Sequence, residues 1–414
     1  MTDTAAVQRR TLRLLFIAQI ISGVGVAIGV AVGALLAADL AGTRVSGLAQ
    51  SAVVVGAALF AVPATAIVRR YGRRPSLASG YVTATVGALL VVIAATRGSI
   101  PLLFLGYFLF GGSTAANMQA RYAAVDLAPV ALRGRHLSMV VWATTLGAVA
   151  GPNFAAFAGT AVGRYGVPAL AGPFLFSAVL FAVAAIGLFA FMRPDPALLA
   201  GTARAMPSGG SGAGMGAALQ AVAQRAPATL GVSAMAVGHV VMVGVMAMTP
   251  VHIRDAGHDA AHTLRIVGLV LSGHIAGMYA LAPVMGWLTD RLGRKPVIVL
   301  GLALLLAACA VTGSAGHEAT RLALGLTILG LGWSATTVAG STLLTESVPL
   351  ELRASAQGLS DLVMGLAGAT AGALSGGVME AWGYPTLTLL AALAAVAVTI
   401  VVLLPGLRAS GRAA

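Results

Sequence analysis

Twelve apolar runs, each long enough to make one crossing of a bilayer, constrain this chain more than anything else in its sequence. A crossing needs about 20 apolar residues at about 1.5 Å rise per residue. The runs lie near 14–38, 46–68, 76–96, 100–124, 137–162 and 170–192, then 227–251, 264–289, 297–314, 320–345, 355–379 and 385–407. Only 9% of the residues are charged and 58% are hydrophobic, too few charges to cover a water-facing surface. The expected partner is therefore the lipid bilayer. The first run is far longer than the apolar stretch of a cleavable signal, so it is expected to be a spanning helix.

The net charge of +13 belongs to this architecture and not to nucleic-acid binding, because the arginines stand between apolar runs. With the N-terminus inside, the inner connections and tails collect 18 of the 25 Lys+Arg, the outer loops collect six, and Arg121 falls within the fourth span. By the positive-inside rule both termini are expected in the cytoplasm. The single cysteine, Cys309, lies in an apolar run, which leaves no disulfide framework or thiolate metal site.

A Gly/Pro/Ser-rich stretch after the sixth run reads as a linker. The expected organisation is a tail at 1–13, a six-helix bundle at 14–192, a cytoplasmic linker at 193–226, a second bundle at 227–407 and a tail at 408–414.

The two halves carry matching phrases. Arg70-Tyr71-Gly72-Arg73-Arg74-Pro75 aligns with Arg291-Leu292-Gly293-Arg294-Lys295-Pro296 at an offset of 221. Asp126, Pro129 and Arg133 match Glu346, Pro349 and Arg353 at an offset of 220. Two matches at nearly one offset indicate a duplicated six-helix unit.

Twelve spans in two repeats, with Gly286-x-x-x-Asp290-Arg291-x-Gly293-Arg294-Lys295 between the eighth and ninth, resemble the major facilitator superfamily over essentially the whole chain. The resemblance implies an all-α membrane protein of two pseudo-symmetric bundles around a central cavity, working by alternating access. It implies a transporter, not an enzyme, in the cytoplasmic (plasma) membrane. It further implies that Arg70 meets Asp126, that Arg291 meets Glu346, and that Asp290 faces the start of helix 5. The first repeat departs from the pattern: Arg69 stands where the aspartate belongs, and Asp361 in helix 11 is the expected compensating charge. Arg69, Arg70, Gly72, Arg73, Arg74 and Asp126, with Asp290, Arg291, Gly293, Arg294, Lys295, Glu346 and Asp361, are the expected gating set.

Helix 5 carries Gly147-x-x-x-Gly151-Pro152, similar to the antiporter signature of drug exporters in this superfamily, with Ala155 and Ala156 in place of its trailing glycines. Close helix packing at small residues is the competing reading. The helix-4 arginine expected in proton antiporters appears as Tyr107. Proton-coupled efflux of amphipathic organic compounds, of multidrug type, is one expected function; a receptor-like or scaffold protein is another, made remote by two gating loops.

The second half offers a different chemistry. Met235, His239, Met242 and Met246 recur on one face of helix 7, and His274-x-x-x-Met278 follows on helix 8. At about 1.5 Å per residue, Met242 and His274 fall at nearly one depth. Imidazole and thioether together suit Cu(I). Met as gap filler and His as a helix-helix hydrogen-bonding group are the plain alternatives. Met-x-x-x-Met followed by His-x-x-x-Met is also similar to the copper-importing branch of the superfamily, the CcoA-like transporters, and that resemblance makes Met242, Met246, His274 and Met278 copper ligands. Geometry alone adds His239 and Met248. His252, His258 and His262 could gather metal outside, and Asn117, Gln119, Arg121 and Asn153 could line the first-half wall. No bound cofactor is expected, copper being the cargo, and no nucleotide-binding loop is present, so transport is expected to be secondary. A monomer is expected.

Overall fold

The computed structural model describes residues 4–129, 132–163, 166–201, 212–349 and 352–403. The expected tail 408–414, the first three residues of the 1–13 tail and residues 202–211 of the expected linker lie outside the described residues.

The regular elements are α-helices: α1 Thr4–Ala41, α2 Thr43–Ser46, α3 Leu48–Tyr71, α4 Arg73–Arg97, α5 Ile100–Phe110, α6 Gly112–Ala123, α7 Arg133–Gly163 and α8 Gly172–Phe191. After the short α9 Pro196–Leu199 come α10 Gly212–Ala223, α11 Ala226–Arg254, α12 Ala260–Tyr279, α13 Ala282–Leu292, α14 Arg294–Gly313, α15 Ala319–Ser347 and α16 Arg353–Leu403. Among the described residues, eleven helical stretches are long and apolar enough to cross a membrane. The last, α16, leaves helical geometry at Gly383 (φ 79°, ψ 170°), which divides it into two segments and yields the twelve anticipated.

The chain packs as two compact units, Met1–Pro207 with Ile253–Ser272, and Ser208–His252 with Gly273–Ala414. In the first unit, aromatic rings of α4, α5 and α8 interlock: Phe110 meets Phe174 and Phe181 at 5.9 and 5.2 Å. Tyr107 is fully buried and donates to the Gly33 carbonyl at 2.8 Å, so the residue in the arginine position is an anchor onto α1. In the second unit, α10 shows that the end of the linker is structured. Its Ala218 and Val222 join Ala228, Met235, Leu344, Val348 and Leu359 in one apolar cluster. Small, apolar, helix-favouring residues permit this where the Gly/Ser content of the linker as a whole suggested loose chain.

The helix-5 signature is consumed by packing. A Cβ on Gly147 would lie 2.8 Å from Val24 N, and one on Gly151 would lie 2.7 Å from both Ala27 Cβ and Val24 O, so α7 rests backbone to backbone on α1. Gly268 of α12 meets the Pro152 carbonyl in the same way. One turn on, Asn153 Nδ2 donates to Ser272 Oγ at 2.8 Å, and Ser272 donates to Val149 O at 2.7 Å.

Candidate transport site and repeat latches

Each repeat ends a helix on a glycine of positive φ and restarts at once: Gly72 (φ 94°) between α3 and α4, Gly293 (φ 92°) between α13 and α14. A side chain is strained in that conformation. The break also decides which arginine reaches the acid.

In the first unit it is Arg73, not the expected Arg70, that meets Asp126. Its Nε donates to Oδ2 at 2.8 Å, Nη2 to Oδ1 at 3.3 Å, and Nη1 to Gln119 Oε1 at 2.7 Å. Gln119 Nε2 in turn donates to Thr65 Oγ1. The pair is almost fully buried, its side chains 5% and 6% exposed. Arg70 lies over the Tyr71 ring at 5.2 Å.

The second unit repeats the correction. Arg294, not Arg291, forks onto Glu346 at 2.9 and 2.6 Å, with Nη1 on Thr289 O at 3.2 Å, while Arg291 lies over the Trp287 ring. The reason is the same in both copies. Arg70 and Arg291 belong to the last turn of the outgoing helix, whereas Arg73 and Arg294 open the next one, on the far side of the glycine break. This second latch is more open, with side chains 28% and 49% exposed. Asp290 is 78% exposed and stands 3.7 Å from Arg294. Arg69, Lys295 and Asp361 are exposed.

Asp195 was missed from the sequence. Its Oδ2 accepts from the Arg74 amide at 2.7 Å, and its Oδ1 accepts from Ala197 and Leu198 amides at 3.0 and 3.2 Å. One carboxylate thus caps α9 and the first turn of α4, where exposed amides favour a negative group. A Cβ on Gly72 would collide with it. Arg74 completes the clasp, donating from Nε to Phe189 O at 2.6 Å and lying over that ring. Asp195→Ala is expected to destabilise the purified protein by about 1–2 kcal/mol, and Asp195→Asn by less; equal melting of wild type and the alanine variant would refute the clasp. The clue in the sequence was Asp195-Pro196, an acid before proline at a helix start.

The Met/His residues of the second unit separate into groups. Met242 and Met278 pack together with Val243, and Met246, Tyr279 and Trp333 lie against them. Met235 belongs elsewhere, in the α10 cluster, where its sulfur accepts from Ser360 Oγ at 3.7 Å. Met248 is fully buried.

The two histidines differ. His274 is fully buried; its Nδ1 donates to Leu326 O at 2.8 Å, which leaves the lone pair on Nε2, sealed and without a partner. His239 Nδ1 accepts from Trp333 Nε1 at 3.1 Å, so its proton sits on Nε2, and Gly368 gives the ring room. Of the two, only His274 offers a lone pair. Among the described residues, no three His, Cys, Asp or Glu side chains gather to hold a metal ion.

The outer histidines also divide. His252 Nε2 donates to Gly316 O at 2.6 Å and stacks on Tyr384 and His317 at 4.3 and 4.6 Å. His258 and His262 pair with each other at 4.6 Å. Between them Asp259 accepts from the His262 amide, and that bond holds its carboxyl below the ordinary range.

The profile of the Major Facilitator Superfamily matches residues 15–264 and 255–413. The chain is 38% identical over 384 residues to the uncharacterized MFS-type transporter YdeG of Bacillus subtilis (strain 168), covering 92% of this chain and 88% of that one. It is 28% identical over 427 residues to the riboflavin transporter RfnT of Brucella anthropi, with both chains covered in full. In fold it is similar to the crystal structure of nucleoside transporter NupG, with a TM-score of 0.75, 14% identity and coverage of 96% and 99%. The chain therefore belongs to the Major Facilitator Superfamily and is a multi-pass membrane transporter.

Proposed function

We propose that the protein is a secondary transporter of the bacterial plasma membrane whose cargo is copper, as Cu(I) or a weak complex of it, moved inward through His274, Met278, Met242 and Met246. The observation that carries this reading is His274, whose Nδ1 is held by a backbone carbonyl while its Nε2 lone pair is buried and unpartnered. A ligating histidine is oriented in this way, by a hydrogen bond from its other nitrogen. Met278, one turn along, clusters with Met242 and Met246, and thioethers with imidazole suit Cu(I). Just beyond Met278 the helix breaks at Ala280 and Leu281, with Pro283 opening the next one, and broken helices frame cargo sites in transporters of this architecture. The arginine–acid latches act as gates, with both termini cytoplasmic.

A second reading is uptake of a planar heteroaromatic solute. Trp333 stands edge to face with Tyr279 at 5.7 Å and bonds His239, giving ring surfaces beside the methionines. The relative named a riboflavin transporter is consistent with it. Proton-coupled export rests on Gly147, Gly151 and Pro152, which helix packing already accounts for.

The test is cell-associated copper under copper limitation in a deletion strain, complemented with wild type or His274→Ala/Met278→Ala at equal membrane abundance, with riboflavin uptake read in parallel. Wild type is expected to restore copper and the double variant to fall about 10–100-fold short. Equal copper in both strains overturns the copper reading, and wild-type-dependent riboflavin uptake would replace it with the second.

A further inference from the structure

We infer that Asn117 and Arg121, on α6 of the first unit, form a contact for the acceptor oxygens of an organic solute, a carboxylate or a ring dione. The inference rests on the transporter assignment and on neither reading of the Met/His cluster.

Asn117 is held from two neighbouring helices. Tyr81 of α4 donates to its Oδ1 at 2.7 Å and Ser22 of α1 at 2.9 Å, while its backbone carbonyl accepts from Gln19 at 3.4 Å. Thr144 of α7 donates to Gln19 Oε1 at 3.2 Å and braces that side chain in turn. The 2.7 Å length is typical of an O–H···O bond and at the short limit for N–H···O. The amide oxygen therefore faces the two hydroxyls, and the nitrogen faces away from them.

That nitrogen has no partner among the described residues, although the side chain belongs to a residue only 9% exposed. Two N–H donors held in place and given no acceptor by the protein are left for whatever reaches them. Asn117 Nδ2 is not among the sealed unpartnered atoms, so its donors are in contact with solvent.

Arg121 follows four residues later on the same face, roughly 6 Å along the helix. The acid that could have neutralised it, Asp126, is taken up by Arg73. Arg121 is exposed and has no ion pair or hydrogen bond among the described residues. The face thus presents up to seven N–H donors, two from the amide and five from the guanidinium, and no acceptor. A carboxylate or an imide-type dione matches it; an amine or a bare cation does not. If copper crosses here, it does so with an oxygen-bearing ligand.

The experiment is ligand-induced thermal stabilisation of the full-length protein in detergent with four probes: riboflavin, uracil, benzoate and benzylamine. Wild type is expected to gain a few degrees in Tm from at least one of the three acceptor-bearing probes and nothing from benzylamine. Asn117→Leu and Arg121→Gln are each expected to weaken the apparent affinity at least about tenfold. Asn117→Asp keeps an oxygen for Tyr81 and Ser22, so it preserves the fold, and it turns the donors into an acceptor; its preference is expected to shift toward benzylamine. The inference is overturned if none of the three acceptor probes stabilises wild type at millimolar concentration, or if Asn117→Asp and Arg121→Gln bind them as wild type does. Copper accumulation in the same variants keeps this outcome separate from the fate of the Met/His site.

Discussion

Replacing Arg73 with methionine is expected to destabilise the protein by about 3–5 kcal/mol, measured as unfolding in detergent, while Arg70→Met stays within about 0.5 kcal/mol of wild type. The difference follows from what each guanidinium touches. Arg73 is 5% exposed and gives three hydrogen bonds, two to Asp126 and one to Gln119. Its removal takes a bidentate cation from a carboxylate that is itself only 6% exposed. Arg70 touches only the Tyr71 ring among the contacts described. The second repeat provides the control. Arg294 and Glu346 are 28% and 49% exposed, so Arg294→Met is expected to cost under about 1 kcal/mol despite similar bond lengths. Comparable losses from Arg70→Met and Arg73→Met would mean that the latch assignment is wrong.

The second large effect separates the two histidines. His274→Leu is expected to lower copper accumulation about 10–100-fold, and His239→Phe to leave it within about threefold. A neutral imidazole has one lone pair and one N–H. In His239 the lone pair is already engaged by Trp333, whereas in His274 the proton is engaged by Leu326 and the lone pair is left over. His239 therefore belongs to the ring surface and leaves the expected ligand set. Equal loss in the two variants would return it there.

What the sequence disclosed and what it withheld divide along physical lines. The spans were legible because burial in hydrocarbon demands about 20 apolar residues wherever a helix crosses. The matched glycines were legible because positive φ selects glycine. The arginine that closes each latch was misassigned by three positions, since a break at Gly72 or Gly293 resets the helical phase and no periodicity carries across it. Met235 fitted the stripe on helix 7 yet packs with α10, because a stripe about four residues wide spans two neighbours. Trp333, Asn117 and Asp195 act through partners 94, 95 and 121 residues away, and single-sequence spacing says nothing at such range.

The unequal burial of the two latches gives them unequal sensitivity to dissolved salt. Mobile ions enter the surroundings of Arg294 and Glu346 and screen their attraction over about 8–10 Å at physiological strength, but they do not penetrate the closed environment of Arg73 and Asp126. As ionic strength rises, the second repeat loosens its hold first while the first keeps its own. A duplicated part has thereby acquired one copy that answers to the solution and one that does not.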